Sequence, residues 1–271
     1  MRNPVNSEYV LGVGNDGAER LESVQLLYGN ESKLVLQKSG LKIGMTVLDA
    51  GCGTGLMTQW LSKEVGSSGQ VIALDNSQQQ IDFARKHLEK NHIGNVNYVC
   101  KNVDELSYND LLPIDLFYAR LLLVHNKNPA LLLNNIKNNC KKNTIFVFEE
   151  PITSESDCHP YDETFYKHLE LYCRLGENAG FDYDFGKELP TLIANAGLKI
   201  QGIRTVKNYF SSYQAKLIAY QRTTECAKKY IQHNMIEEHE LEDLQKQLLE
   251  LANNQTTLLS GVTMLQVWGT V

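Results

Sequence analysis

The chain has 271 residues, a formal net charge of -6 and a sequence pI of about 5.7. Hydrophobic residues make up 42% of it and charged residues 21%, which fits a globular protein with a sizeable core and excludes a disordered or fibrous chain. The acidic balance lacks the basic surplus of a nucleic-acid-binding surface, and its densest basic cluster, Lys137, Lys141 and Lys142, falls near a helix end, where the macrodipole alone favours cations.

The polar start, Met1 to Gly14, shows no signal peptide. Leu21, Val24, Leu27, Leu34 and Val35 recur at helical spacing and predict a helix over 16–39, stopped by Gly40. Short apolar runs follow at Met45–Ala50, Val71–Asp75, Val96–Cys100, Ile114–Ala119 and Thr144–Glu149, the pattern of parallel strands buried on both faces. Between them Leu56–Val65, Gln78–Asn91 and Pro129–Cys140 read as helices, so the alternation predicts a doubly wound sheet. Further on, Tyr161–Leu175 and Gly186–Ala196 read as helices, and Leu198–Val206 and Val262–Trp268 as two late strands. The stretch between those strands is expected to be mostly helical, with Leu241, Leu244, Leu248 and Leu251 as an apolar stripe. No run of about eighteen apolar residues exists, so no membrane span is expected. The six cysteines have neither CxxC nor zinc-ligand spacing, which fits reduced thiols, a cytoplasmic protein and no metal.

The informative segment is Val47-Leu48-Asp49-Ala50-Gly51-Cys52-Gly53-Thr54-Gly55-Leu56, a strand running through a glycine-rich turn into a helix. Its glycines stand at 51, 53 and 55, whereas a dinucleotide fingerprint needs the third one place later. A phosphate-binding loop would end in Gly-Lys-Ser/Thr, and no lysine is present. Asp49 decides between the remaining ligands: a carboxylate here repels a pyrophosphate and suits a cation. S-adenosyl-L-methionine carries an ammonium and a sulfonium and no phosphate. Asp75 ends the next strand, about 20 residues past the turn, where an acid accepts hydrogen bonds from ribose hydroxyls. Helix capping is the alternative reading there, although Asn76 or Ser77 could serve as the cap.

From about 45 to 150 the chain resembles the class I S-adenosylmethionine-dependent methyltransferases of the small-molecule type. The resemblance implies an α/β, doubly wound, mostly parallel seven-stranded sheet with an antiparallel last strand, here with a helical cap. It places Asp49, Gly51, Gly53 and Gly55 at the methionine end of the cofactor and Asp75 at the ribose, with Cys52, Thr54 and Asn76 counted in the same binding set. Asn102 stands where the family has an acid for the adenine amino group, and its amide oxygen can still accept there, with the Val103 backbone against the ring. Ala119 and Arg120 are expected to face the cofactor, and Arg120 either clamps a carboxylate or shapes the pocket. Tyr9, in Tyr9-Val10-Leu11-Gly12, is expected to fold over the cofactor.

The catalytic base is not fixed by the sequence; His125, Glu150 and His159 are the candidates, with Glu149 beside them. The expected division is an N-terminal helical segment (1–40), a cofactor-binding core (41–150) and a remainder (151–271). That remainder holds the last two strands and cap insertions at 152–180 and 209–260. Tyr161, Phe165, Tyr166, Tyr172, Tyr209 and Tyr213 are expected to wall an apolar or planar acceptor. The expected partner is a small-molecule methyl acceptor, not nucleic acid, and the state a monomer or homodimer. An RNA or protein methyltransferase and a non-catalytic cofactor-binding module remain as alternatives.

Overall fold

A computed structural model describes residues 11, 15–105, 107 and 114–271. Ten strands are named in chain order: β1 (Thr46–Ala50), β2 (Gln70–Asp75), β3 (Val96–Cys100), β4 (Leu116–Arg120), β5 (Ile145–Ile152), β6 (Cys158–His159), β7 (Lys199–Val206), β8 (Tyr209–Phe210), β9 (Leu258–Ser260) and β10 (Thr263–Thr270). The α-helices are α1 (Asn15–Ser39), α2 (Leu56–Val65), α3 (Gln78–Lys90), α4 (Pro129–Asn139), α5 (Glu163–Asn178), α6 (Leu189–Asn195), α7 (Tyr213–Gln232) and α8 (Glu238–Asn253).

Seven strands form one sheet in the order β3-β2-β1-β4-β5-β10-β7. Strands β1 to β5 pair in parallel, whereas β10 runs antiparallel between β5 and β7. The expected fold class is therefore the observed one. The central strands are apolar on both faces because both faces are covered: Val47, Leu48, Val71, Leu116 and Phe117 are fully buried, each such side chain contributing roughly 1.5–3 kcal/mol. The edge strand β3 alternates instead between half-buried and exposed positions. A buried polar bridge ties three strands together: Tyr118 Oη and Gln266 Nε2 each donate to Glu149, both at 2.7 Å.

The chain order reverses beside β1, which pairs with β2 on one side and β4 on the other. Open α/β sheets leave a crevice at the carboxyl ends of strands at such a point. Local caps set the helix starts around it. Ser77 caps α3, Asn128 precedes Pro129 and caps α4, Asp162 caps α5 and Ser212 caps α7. Helix α7 packs against α1, α5 and α8. A second sheet, β6-β9-β8, falls in stretches that the sequence reading had left without strands. Among the described residues, no helix is long and apolar enough to cross a membrane.

Candidate active site

A cavity of about 820 Å³ opens at the carboxyl edge of the parallel strands, within the ~300–1,000 Å³ range of small-molecule sites. The β1–α2 turn forms part of its wall. Gly51 and Gly53 take positive φ of 73° and 53°, a region that costs glycine nothing, and the Gly51 and Cys52 amides both donate to the Leu74 carbonyl at 2.8 and 2.9 Å. The turn is thereby held against the end of β2.

Asp75 clasps the same turn. Its carboxylate accepts from the Gly53 amide at 3.0 Å and the Ser77 amide at 2.9 Å. Burial raises its pKa, and these amide bonds oppose the rise. Ser77 performs the capping of α3 through Gln80, and Asp75 lines the cavity wall.

Asp49 is only 3% exposed and accepts from Thr58 Oγ1 at 2.6 Å. Burial pushes its pKa up to about 6, against the Thr58 hydrogen bond and the positive charge of Arg120. Neither Asp49 nor Asp75 has a lysine or arginine within ion-pair distance among the described residues. The cavity thus carries two desolvated carboxylates, neither in an ion pair among the described residues, with Arg120 acting on Asp49 at longer range.

Arg120 reaches the cavity from the end of β4. Its guanidinium donates to Ser32 Oγ at 3.1 Å and Gln25 Oε1 at 3.0 Å, both on α1. The next turn is pinned from below. Leu121 takes φ of 56°, and Glu150, fully buried, accepts from the Leu122, Leu123 and Val124 amides at 3.1, 2.8 and 3.1 Å. A carboxylate among three convergent N–H groups satisfies backbone that the turn leaves without other partners.

The structure brings Asp49, Gly51, Cys52, Gly53, Thr54, Asp75, Asn76, Asn102, Val103, Arg120 and His125 to this one cavity. Asn102 Oδ1 also accepts from the Asp104 amide at 3.1 Å. The other candidates fall elsewhere, each for a physical reason. Ala119 does not line the cavity: it is fully buried in the sheet, paired with Ala50 and Phe148. Gly55 is also absent from the wall. A Cβ there would meet the Ala84 and Leu88 side chains at 2.9 Å, so the glycine permits α2 and α3 to approach. Glu150 is sealed beneath the β4 turn, and burial pushes its pKa up to about 8. His159 is exposed on β6, outside the cavity lining. Tyr9 lies outside the described residues; Leu11, two residues on, is at the wall.

His125 does line the cavity, but as a packed ring. Its centroid lies 5.6 Å from Phe181 and 5.7 Å from Tyr183, edge-on to both. Burial, with the Arg20 charge, pushes its pKa down to about 3, so the imidazole is neutral at neutral pH. Of the six aromatic residues expected to wall an acceptor, only Tyr172 lines this cavity. Tyr161, Tyr209 and Tyr213 are exposed, Tyr161 stacks on Tyr166, and Phe165 packs edge-on to Tyr166.

Residues 41–246 match the family described as Methyltransferase domain. The chain belongs to this methyltransferase-domain family. The ubiquinone biosynthesis O-methyltransferase of Coxiella burnetii is 31% identical over 118 residues, covering 44% of this chain and 48% of the relative. The tRNA (adenine(58)-N(1))-methyltransferase catalytic subunit TRM61 of Cryptococcus neoformans is 34% identical over 86 residues, covering 32% of this chain and 20% of the relative. The chain thus spans less than half the length of these curated relatives. A solved S-adenosylmethionine-dependent methyltransferase from Aquifex aeolicus shares the fold at a TM-score of 0.52 and 20% identity, covering 70% of this chain and 91% of that one.

The far wall of this methyltransferase-domain cavity, Tyr172 excepted, was missed by sequence reasoning. It comes from Arg20, Leu21, Val24 and Tyr28 of α1, Tyr172 of α5, Phe181 and Tyr183 beyond it, Ile218 and Arg222 of α7, and Val262. Tyr172 and Tyr183 stack at 4.2 Å with an interplanar angle of 6°. These residues are dispersed through the chain and share no motif. The one local signal was α1, whose apolar period marks a buried face without saying what it faces.

Proposed function

We propose that the chain binds S-adenosyl-L-methionine and transfers its methyl group to a small or medium-sized organic acceptor in the same cavity. The observation that carries this reading is the pair Asp49 and Asp75, two buried carboxylates beside a glycine turn, neither ion-paired among the described residues. A phosphate-bearing dinucleotide would be repelled there, whereas a ligand with an ammonium, a sulfonium and a ribose supplies what both lack.

In this reading Asp49 faces the charged methionine end, and Gly51 and Gly53 let backbone approach it without an intervening Cβ. Arg120, held by Gln25 and Ser32, takes the methionine carboxylate. Asp75 accepts from the ribose hydroxyls, and Asn102 and Val103 lie at the base. The cofactor supplies an electrophilic methyl: the acceptor's lone pair bonds to that carbon as the carbon–sulfur bond breaks, and S-adenosylhomocysteine leaves. The residues of α1, α5 and α7 hold the acceptor in line and limit water, and such positioning supplies much of the acceleration.

None of the three base candidates suits that role in this geometry. Glu150 is committed to three amides, His159 is remote, and His125 is a weakly basic ring packed between aromatics. The reading is therefore transfer by positioning to an acceptor whose nucleophilic atom is already deprotonated or neutral. Calorimetric titration tests the donor half. S-adenosylmethionine and S-adenosylhomocysteine are expected to bind and NAD is not. Tight NAD binding with no response to either methionine-derived ligand would overturn the reading.

A further inference from the structure

The donor reading leaves several charged groups of the cavity without a role, among them Lys101, Lys127 and Arg222. Arg222 lies on α7, and its guanidinium sits over the Tyr172 ring at 4.3 Å. Its Nε is sealed from solvent and has no hydrogen-bond partner among the described residues. Guanidinium cannot shed its charge, and its five N–H donors form a planar fork matched to an oxyanion. The carboxylate nearest in sequence on that helix face is taken: Glu225, three residues on, pairs with Arg20 at 2.9 Å. The other polar neighbours are also committed. Tyr28 donates to the Val262 carbonyl at 2.9 Å, and His168 Nδ1 lies 2.8 Å from Thr223 Oγ1. Arg222 is half-buried with its Nε sealed, and no carboxylate pairs with it among the described residues, so an oxyanion entering the cavity would gain a charge-assisted pair there.

We propose that Arg222 anchors an acidic oxyanion on the methyl acceptor, which is a small organic anion with a planar or aromatic part. This rests on the methyltransferase reading and specifies its substrate class. The Tyr183–Tyr172–Arg222 stack holds the guanidinium in place, and Tyr28 and Phe181 add aromatic lining to the same cavity, a setting that suits a planar carboxylate or phosphate ester. The oxyanion is not the atom methylated. Arg120 is pinned at the end of β4 to Gln25 and Ser32 of α1, whereas Arg222 stands on α7 over the Tyr172 ring, so Arg222 takes a part of the acceptor other than its reacting atom. The anion consequently survives transfer, and the product keeps its negative charge.

The test uses the full chain with tritium-labelled S-adenosylmethionine and a cell extract split into a small-metabolite fraction and an RNA-plus-protein fraction. Label is expected in a small product retained by an anion exchanger at neutral pH, and phosphatase treatment of that product separates phosphate from carboxylate. In Arg222→Gln, label at limiting extract is expected to fall roughly 10- to 100-fold, the range for a lost charge-assisted hydrogen bond, with S-adenosylhomocysteine affinity unchanged. Arg222→Lys, which keeps charge but not the fork, is expected to lie between. A neutral or cationic labelled product overturns the proposal whether or not the variants fold, as does label in RNA or protein. Loss of S-adenosylhomocysteine binding in a folded Arg222→Gln assigns the guanidinium to the cofactor and also overturns it. No label anywhere, with the cofactor product bound normally, refutes methyl transfer itself, a failure distinct from the others.

Discussion

Replacing Asp49 by asparagine should move stability and cofactor affinity in opposite directions. Burial raises the carboxyl from 3.8 to about 6 in the folded protein. That difference of about two pKa units corresponds to about 3 kcal/mol, at about 1.4 kcal/mol per unit, by which folding disfavours the ionised form. Because the folded value lies above the unfolded one, the group's stabilising contribution is fully present below 3.8 and is lost as pH rises through about 6. At pH 8 the cofactor-free protein carries the whole penalty. Asparagine removes it and can still accept from Thr58, so Asp49→Asn should be more stable by about 1–3 kcal/mol, the lower figure allowing for a weaker hydrogen bond. Affinity should fall because the cationic end of the ligand loses its counter-charge, by about 1.5–3 kcal/mol. Urea unfolding at pH 8 and pH 4.5, with calorimetric titration of S-adenosylhomocysteine at pH 8, reads both quantities. The stability gain should shrink at pH 4.5, where the wild-type carboxyl is protonated when folded. A variant that is destabilised at pH 8, or that binds the ligand as tightly as wild type, refutes the reasoning.

Asp75→Ala should weaken S-adenosylhomocysteine binding by about 2–3 kcal/mol and also lower stability by about 1–2 kcal/mol, because the Gly53 and Ser77 amides lose their acceptor; calorimetry and urea midpoints check the two parts. Glu150→Gln sets a clash of one amide hydrogen with a backbone N–H, about 1–3 kcal/mol, against removal of a burial penalty on a carboxyl pushed up to about 8. Its net cost should be largest at acid pH and shrink as pH rises through about 8, read by urea unfolding. A Glu150→Gln protein of wild-type stability that had lost transfer would restore this residue as a base. Gly55→Ala should destabilise by about 2–4 kcal/mol through positive φ and overpacking on Ala84, with S-adenosylhomocysteine affinity of the folded protein unchanged; a selective loss of affinity would return Gly55 to the binding set.

The donor half of the cavity was legible because it is local. Asp49, Gly51 and Gly53 lie within one turn, and Asp75 follows at the end of the adjacent strand, so strand order alone brings them together. What sequence could not separate was direction. Ala119 and Arg120 are neighbours, yet a strand points them to opposite faces, and only Arg120 reaches the cavity. Gly55 belongs to the same glycine run as Gly51, but one helical start later it faces α3 rather than a ligand. Glu149 and Glu150 were both legible as acids at a strand end. Their partners were not: Gln266 of β10 and the amides after β4 reach them only through the sheet order. The small sheet β6-β9-β8 escaped because strands of two or three residues carry no period to read.

The acceptor half follows a different logic, and it explains why an aromatic count misled. Of the six aromatics expected to wall an acceptor from the cap insertions, five serve packing or solvent-facing roles. The aromatic walls that form are Tyr28, Tyr172, Phe181 and Tyr183, contributed by segments far apart in the chain and joined where α7 packs on α1 and α5. Electrostatics divides the cavity in the same way. Asp49 and Asp75 stand at the end built from β1 and β2, whereas Arg222 stands among tyrosines on α7, with Arg20 beside it neutralised by Glu225. In the proposed reading, the carboxylate end takes the cationic donor and the Arg222 end an anionic acceptor. On that proposal, orientation of both reactants would come from charges fixed in the fold, and in-line positioning would serve an acceptor that needs no base.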